Sequence, residues 1–203
     1  GYLMLPRGLG SICGLLMMAQ LRDRIDPRPL LMLGVIGIAW PAWEMGHWTA
    51  DVRPWDVSWT TFIQGLAAGF IWAPLNTLTL SRLERRVQDQ GFALFYLIFD
   101  VGSAIGTAAV IGVQAHYTQV NHEELNSFVH PFNEILRYPA LADVWDTGSA
   151  VGLATLQGEI SRQASMIGFN NAFMVIAIVM AALLPFILLF RNPKYYDKLD
   201  HRS

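Results

Sequence analysis

The sequence predicts an all-α membrane protein, and three observations lead there. Hydrophobic residues make up 53% of the chain and charged ones only 15%, against roughly 25% charged in an ordinary soluble domain. The charges are gathered into short stretches separated by long uncharged ones. Several uncharged stretches reach or approach the roughly 20 apolar residues that a helix needs to cross about 30 Å of hydrocarbon. The 14 basic and 16 acidic side chains leave a formal charge of -2. That balance argues against a nucleic-acid partner, because phosphate demands a basic face. A single cysteine rules out a disulfide framework and a cysteine-rich metal site.

Five spans are expected, at about 3–20, 29–46, 58–81, 91–115 and 169–190. The second ends among Trp40, Trp43 and Trp48, side chains that favour the boundary between lipid and water. The last, from Phe169 to Phe190, has no ionisable group. No cleavage-type sequence follows a short apolar core, so none of the spans reads as a signal peptide. The loops 21–30 and 82–90 and the tail 191–203 hold ten of the 14 basic residues, which orients them, and the C-terminus, toward the cytoplasm. The segment 116–168 then lies outside. A structureless connection of about fifty residues is unusual, and Leu153, Leu156, Ile160 and Ile167 recur at roughly helical spacing. An amphipathic surface helix over 149–167 is expected to feed the last span, although a solvated cap without a partner fits equally well. The chain thus divides into four transmembrane helices (1–115), an outer loop with an amphipathic helix (116–168), and the last transmembrane helix with a cytoplasmic tail (169–203). Its start on Gly1, at the edge of a span, reads as a fragment.

Five strings in a fixed order carry a resemblance. They are AQLRDRIDPR (Ala19 to Arg28), FIQGLAAGFIWAPLNTLTLSRL (Phe62 to Leu83), FALFYLIFDVGSAIGTA (Phe92 to Ala108), HPFN (His130 to Asn133) and NNAF (Asn170 to Phe173). Over nearly its whole length the chain resembles the C-terminal part of the EmrB/QacA-type drug/proton antiporters, the fourteen-helix branch of the major facilitator superfamily. The resemblance implies five of the six helices of a major facilitator C-terminal domain, with a helical outer loop. It implies alternating access around a midplane site shared with a missing N-terminal half, no cofactor, and residence in a bacterial inner membrane. Partners would be lipid, protons and small amphipathic drugs. In a Gram-negative host, 116–168 would face a periplasmic adaptor linked to an outer-membrane channel.

Asp100 is the most informative single residue. At 1.5 Å per residue from Gly91 it lies about 14 Å deep, near the bilayer centre. A carboxylate there is costly unless paired, hydrated or protonated, and it usually faces the bundle interior. It is either a proton or substrate group, or a neutral structural acid bonded across helices. Glu44 lies near the outer end of its span, where it reaches water. It serves proton entry or cation attraction, or it is an interfacial carboxylate paired with Arg7 at the same depth. Gln64, Asn76 and Tyr96 suit a drug cavity among aromatics such as Phe70, Trp72 and Phe99, although a lone amide in a span more often bonds a neighbouring helix.

Asp23, Arg24 and Arg28 form the cytoplasmic loop. By resemblance it is a latch that holds two domains in one access state; a plain positive-inside loop is the alternative. Gly10 and Gly14, Gly65 and Gly69, and Gly102 and Gly106 are three small-x-x-x-small pairs, the pattern that lets helices approach closely in lipid. Pro74 removes one helical hydrogen bond, which Asn76 or Thr77 is placed to replace in part. His116, His122 and His130 lack the spacing of metal ligands, and no catalytic set is present, so an enzyme is not expected. The main alternative to an exporter is a non-transporting membrane scaffold or a degraded transporter remnant.

Overall fold

A computed structural model describes residues 2–21, 27–80, 85–129 and 149–188. Among them every long element is an α-helix: α1 (Leu5–Leu21), α2 (Pro27–Met45), α3 (Pro54–Leu80), α4 (Gln88–Ser127) and α5 (Ala150–Leu188). Short 3-10 turns, Tyr2–Met4 and Arg85–Val87, lead into α1 and α4. The starts are written in the sequence. Pro27 and Pro54 open α2 and α3, where a missing N–H costs nothing and the fixed φ is already helical. Ser149 caps α5, its Oγ accepting the Gly152 N–H at 3.0 Å, and so satisfies one of the donors a helix start leaves over.

The helices do not pack in chain order. α1 lies on α3, α3 on α2, α2 on α5, and α5 on α4, while the backbones of α1 and α2 make no close approach. That sequence of contacts makes α2 the centre. Its Leu30 meets Met18 of α1 and Phe70 of α3 in one buried cluster, and its Leu31 and Val35 meet Ile187 of α5 in another. Phe70 is therefore a core side chain at 3% exposure and does not line a drug cavity as the sequence suggested. Among the described residues Arg7 and Glu44 form no ion pair, and the backbones of the helices that carry them make no close approach.

Glycine decides how α1 meets α3. A Cβ at Gly10 or Gly14 would strike the carbonyl oxygen of Phe62 or Leu66, one at Gly65 the carbonyl oxygen of Arg7, and one at Gly69 the backbone of Gly14 and Leu15. Two glycine stripes thus interlock, backbone on backbone. Gly34 and Gly37 repeat the device between α2 and α3, against Ile71 and Ala67. Gly102 and Gly106, with the same spacing, face open space. The expectation that this third pair packs is not met among the described residues, since α4 buries no residue at all.

Helix lengths differ from expectation where α4 ends and α5 begins. α4 continues through Ser127 rather than ending near 115, and α5 runs unbroken from Ala150 into the apolar run. No proline interrupts either extension, so loss of apolar character ends the lipid-compatible stretch without ending the helix. Among the described residues two helices, Gln88–Ser127 and Ala150–Ile187, are long and apolar enough to cross a membrane, each with an 18-residue stretch of mean hydropathy 1.9 and 2.2 respectively. Large apolar side chains also stand exposed along the other helices, among them Leu9, Ile12, Leu16, Leu33 and Ile36. So much exposed apolar surface exceeds what a water-soluble monomer presents and fits an all-α membrane protein.

Replacing Gly65 by alanine should lower stability by about 1–3 kcal/mol, the range for overpacking a tight contact. Gly106→Ala should be neutral or slightly stabilising, because an open helical glycine gains from a side chain. Reversible unfolding of both variants in mixed micelles checks the pair. Equal effects would mean that the α1–α3 contact is looser than described.

Candidate functional site

The midplane candidates fall on two different surfaces. Tyr96 and Asp100 are one turn apart on α4, and both are exposed. Beside them, Phe99 sets its ring against Trp72 of α3, centroids 4.6 Å apart and tilted by 55°. This pair brings α4 against α3 at the depth of Asp100. Asn76 follows Trp72 by one turn, and its Nδ2 donates to the Trp72 carbonyl at 2.9 Å. The carbonyl that Pro74 leaves without its helical donor is that of Phe70, four residues back, so Asn76 does not replace the lost bond. Its Oδ1 is buried without a hydrogen-bond partner. Thr77's side chain lies outside the described residues.

Gln64 points the other way. Its Nε2 approaches the Met45 sulfur of α2 at 3.4 Å, a contact between neighbouring helices. Glu44 is half-buried one residue before Met45, at the outer end of α2. The group Asp23, Arg24 and Arg28 is divided: Asp23 and Arg24 lie outside the described residues, whereas Arg28 occupies the first turn of α2, with its Nε buried and unpartnered. The structure therefore sets Tyr96 and Asp100 one turn apart on an exposed face of α4, adjacent in sequence to the Phe99 that meets Trp72, and leaves Gln64 and Glu44 on the α2–α3 side.

Near residues 48–51, α5 holds the turn between α2 and α3. Asn170 Nδ2 donates to the Trp48 carbonyl at 2.7 Å. Arg162 donates to the Ala50 carbonyl at 3.2 Å and to Asp51 at 3.3 Å, while its other nitrogens hold Glu159 at 2.9 Å. The Arg162 hydrogen bond, reinforced by Gln163, keeps the Glu159 carboxyl below the usual carboxylate range. Glycine again permits the approach of α5 to α4, since a Cβ on Gly168 would strike Thr118 Oγ1.

Along that contact runs an open groove of about 620 Å³ lined from both sides, by Gln114, Thr118, His122 and Glu123 of α4 and by Ser161 and Ser165 of α5. None of the residues singled out as a site from the sequence lines it. The signal was present as polar residues at helical spacing in both helices. It is obscured because polarity after residue 115 suggests that α4 stops there, which leaves the helix expected over 149–167 no second face to share. Among the described residues, no group of three His, Cys, Asp or Glu side chains is placed to hold a metal ion.

Comparison with known proteins places these helices. The chain is 23% identical, over 84% of its length, to the fatty acid resistance protein FarB of Neisseria gonorrhoeae. It is 24% identical over 94% of its length to the multidrug export protein EmrB of Haemophilus influenzae, and 23% identical over its full length to the uncharacterised MFS-type transporter YhcA of Bacillus subtilis. The chain is related to the EmrB-type transporters of the major facilitator superfamily. It spans 34%, 38% and 40% of the length of those three relatives. No family model and no solved structure gives a match. The all-helical fold with its lipid-compatible surfaces fits this relationship.

Removing the Asn170 amide leaves the Trp48 carbonyl without that donor. Asn170→Ala should cost about 1–3 kcal/mol, as for a partly buried polar group left unpaired. Hydrogen exchange should show the gain in mobility confined to residues 46–53, and exchange unchanged there would remove the role of α5 as a clamp.

Proposed function

We infer that the chain is the C-terminal portion of a proton-coupled exporter of amphipathic organic compounds. Its relationship, across 84% and 94% of its length, to proteins named for fatty acid resistance and multidrug export carries this reading. The five helices serve as five transmembrane spans of one domain, with the basic loops and the C-terminus cytoplasmic. Alternating access moves this domain against an N-terminal half around a midplane site.

Asp100 is the proton-coupling group in this reading. It sits on the α4 surface that no other described helix covers, one turn from Tyr96 and beside the Trp72–Phe99 pair. A carboxylate at bilayer depth needs a partner, water or a proton, and a cavity between two domains supplies water and exchangeable protons. Asn76, whose Oδ1 has no partner, offers an acceptor to a substrate close to the same surface. Asp23, Arg24 and Arg28 latch the cytoplasmic side. The outer extensions of α4 and α5 present the surface for a periplasmic adaptor that leads to an outer-membrane channel.

In the complete transporter, Asp100→Asn should reduce proton-driven export by about an order of magnitude while leaving the protein in the membrane. Export that keeps its rate and its pH dependence in the variant would remove Asp100 from the mechanism. Orientation has its own test. A cysteine replacing Arg85, in a background with Cys13→Ala, should stay unlabelled by an impermeant maleimide in intact cells and react once the membrane is opened. Labelling from outside would invert the topology.

A further inference from the structure

Tryptophan is concentrated at one end of α2 and α3. Five of the seven tryptophans fall between residues 40 and 59, and four of these, Trp40, Trp43, Trp55 and Trp59, are 48–75% exposed. Neither the buried clusters nor the midplane candidates use these four rings. Trp43 meets only the neighbouring His47 ring, centroids 4.9 Å apart, and stays half exposed.

Their relative depths follow from how the two helices meet. A Cβ on Gly37 would strike the side chain of Ala67, and one on Gly34 the side chain of Ile71, so α2 and α3 run antiparallel with residues 37 and 67 level. At that register Trp40 and Trp43 lie level with residues 64 and 61 of α3. Trp59 comes next toward the turn, and Trp55 one helical turn beyond it. Carried by two helices, the four rings thus form a ladder about 14 Å long.

The two ends of the ladder differ in chemistry. On α2 the exposed row continues inward from Trp43 and Trp40 as Ile36 and Leu33, all on one face of the helix. At the turn, the ladder gives way to the exposed ion group of Asp51, Arg162 and Glu159. Aliphatic, then indole, then charged is the order in which a bilayer passes from hydrocarbon through headgroups to water. A protein interface is arranged differently, with an apolar centre and a polar rim on all sides. Charges of both signs stand at the turn, Asp51, Asp56 and Glu159 with Arg53 and Arg162. No basic patch draws anionic lipid there, so seating falls to the indoles.

We propose that Trp40, Trp43, Trp59 and Trp55 form a graded anchor for the ester and headgroup zone of the phospholipid leaflet at the α2–α3 turn, and that this anchor sets the depth of the bundle. The edge of water then falls at the Asp51–Arg162 pair. The Gln157–His122 contact, on the α5 side that leads away from the ladder, stands about 8 Å outside that edge. The anchor rests on the reading of these helices as membrane spans, and not on export or proton coupling.

The test is fluorine NMR of the full chain carrying fluorotryptophan in phosphatidylcholine nanodiscs, with single Trp→Phe variants to assign the resonances. Three relaxation probes are compared: a lipid spin-labelled at the headgroup end of its acyl chain, one labelled at the methyl end, and a soluble gadolinium chelate. The four resonances should broaden several-fold more with the first probe than with the second. Access to the chelate should rise in the order Trp40, Trp43, Trp59, Trp55. Trp72, about 20 Å inward from Trp59 along α3, should not respond to the chelate. Anchoring is read by lengthening the acyl chains. The parent should keep its pattern, because tilt and bilayer deformation absorb the mismatch. With Trp40→Leu and Trp43→Leu combined, Trp59 and Trp55 should lose access to the chelate in the thicker bilayer. Leucine keeps the surface apolar, so the double variant should fold and insert. The proposal is overturned if the four rings respond most to the methyl-end label, or if the double variant keeps the parent's pattern in the thicker bilayer. Protection of all four from every probe would mean that protein, such as a second copy of the chain, covers them, and overturns it as well. If no tryptophan in the chain responded to either lipid label, the helices would lie outside the bilayer, and the span reading would fall together with the anchor.

Discussion

Close backbone contact between α1 and α3 is the constraint on which the rest depends. Lipid tails are as apolar as leucine, so helices in a bilayer gain little by hiding leucine from it, and they associate where their surfaces fit. Here the fit comes from removing side chains. Gly10 and Gly14 on one helix, and Gly65 and Gly69 on the other, let carbonyl oxygens lie where a Cβ would otherwise stand. With α1 fixed on α3, Met18 and Phe70 are brought onto Leu30 of α2. α2 then holds α5 through Leu31, Val35 and Ile187. α4 comes last and is held mainly from one side, by α5, which is why it buries no residue.

How far the sequence could be read follows from the kind of signal each feature leaves. The cores of the five helices were legible because apolar runs bounded by charges need no knowledge of neighbours. The glycine pairs show the limit of that reading. Gly65 with Gly69 and Gly102 with Gly106 have one spacing and one composition, yet the first pair meets a backbone and the second meets nothing. Spacing places two residues on one face of a helix, but it does not say which helix that face meets. The misreadings of Phe70 and of Arg7 with Glu44 have the same origin. Each assumed a neighbour, and the order of packing supplied another.

The continuation of α4 past residue 115 is hard to read for a different reason. Hydropathy reports where lipid would be tolerated, whereas a helix continues as long as its backbone bonds are made and no residue breaks them. In α4 the polar run from His116 to Ser127 contains neither proline nor glycine, so the helix passes through the change of solvent. At 40 residues it is about 60 Å long, twice the hydrocarbon thickness. Polar side chains that looked like loop residues become a face, and α5 presents a second face to it. The groove and the Gln157–His122 contact exist because of this continuation.

Polar groups inside the bundle divide by whether a protein partner meets them. Thr60 and Thr61 are buried, and both return their hydroxyls to carbonyls of the preceding turn. Gln64 finds the Met45 sulfur. Such groups are consumed in holding the helices, and in a medium without water that is their least costly arrangement. Asp100 and the Oδ1 of Asn76 are not consumed in this way: one is exposed on α4 and the other has no partner. A carboxylate and an amide oxygen left over on helices this apolar would be expensive in a static membrane bundle. They become affordable where a water-filled cavity or a second domain meets them, and the uncovered surface of α4 is the place where this fold leaves room for either.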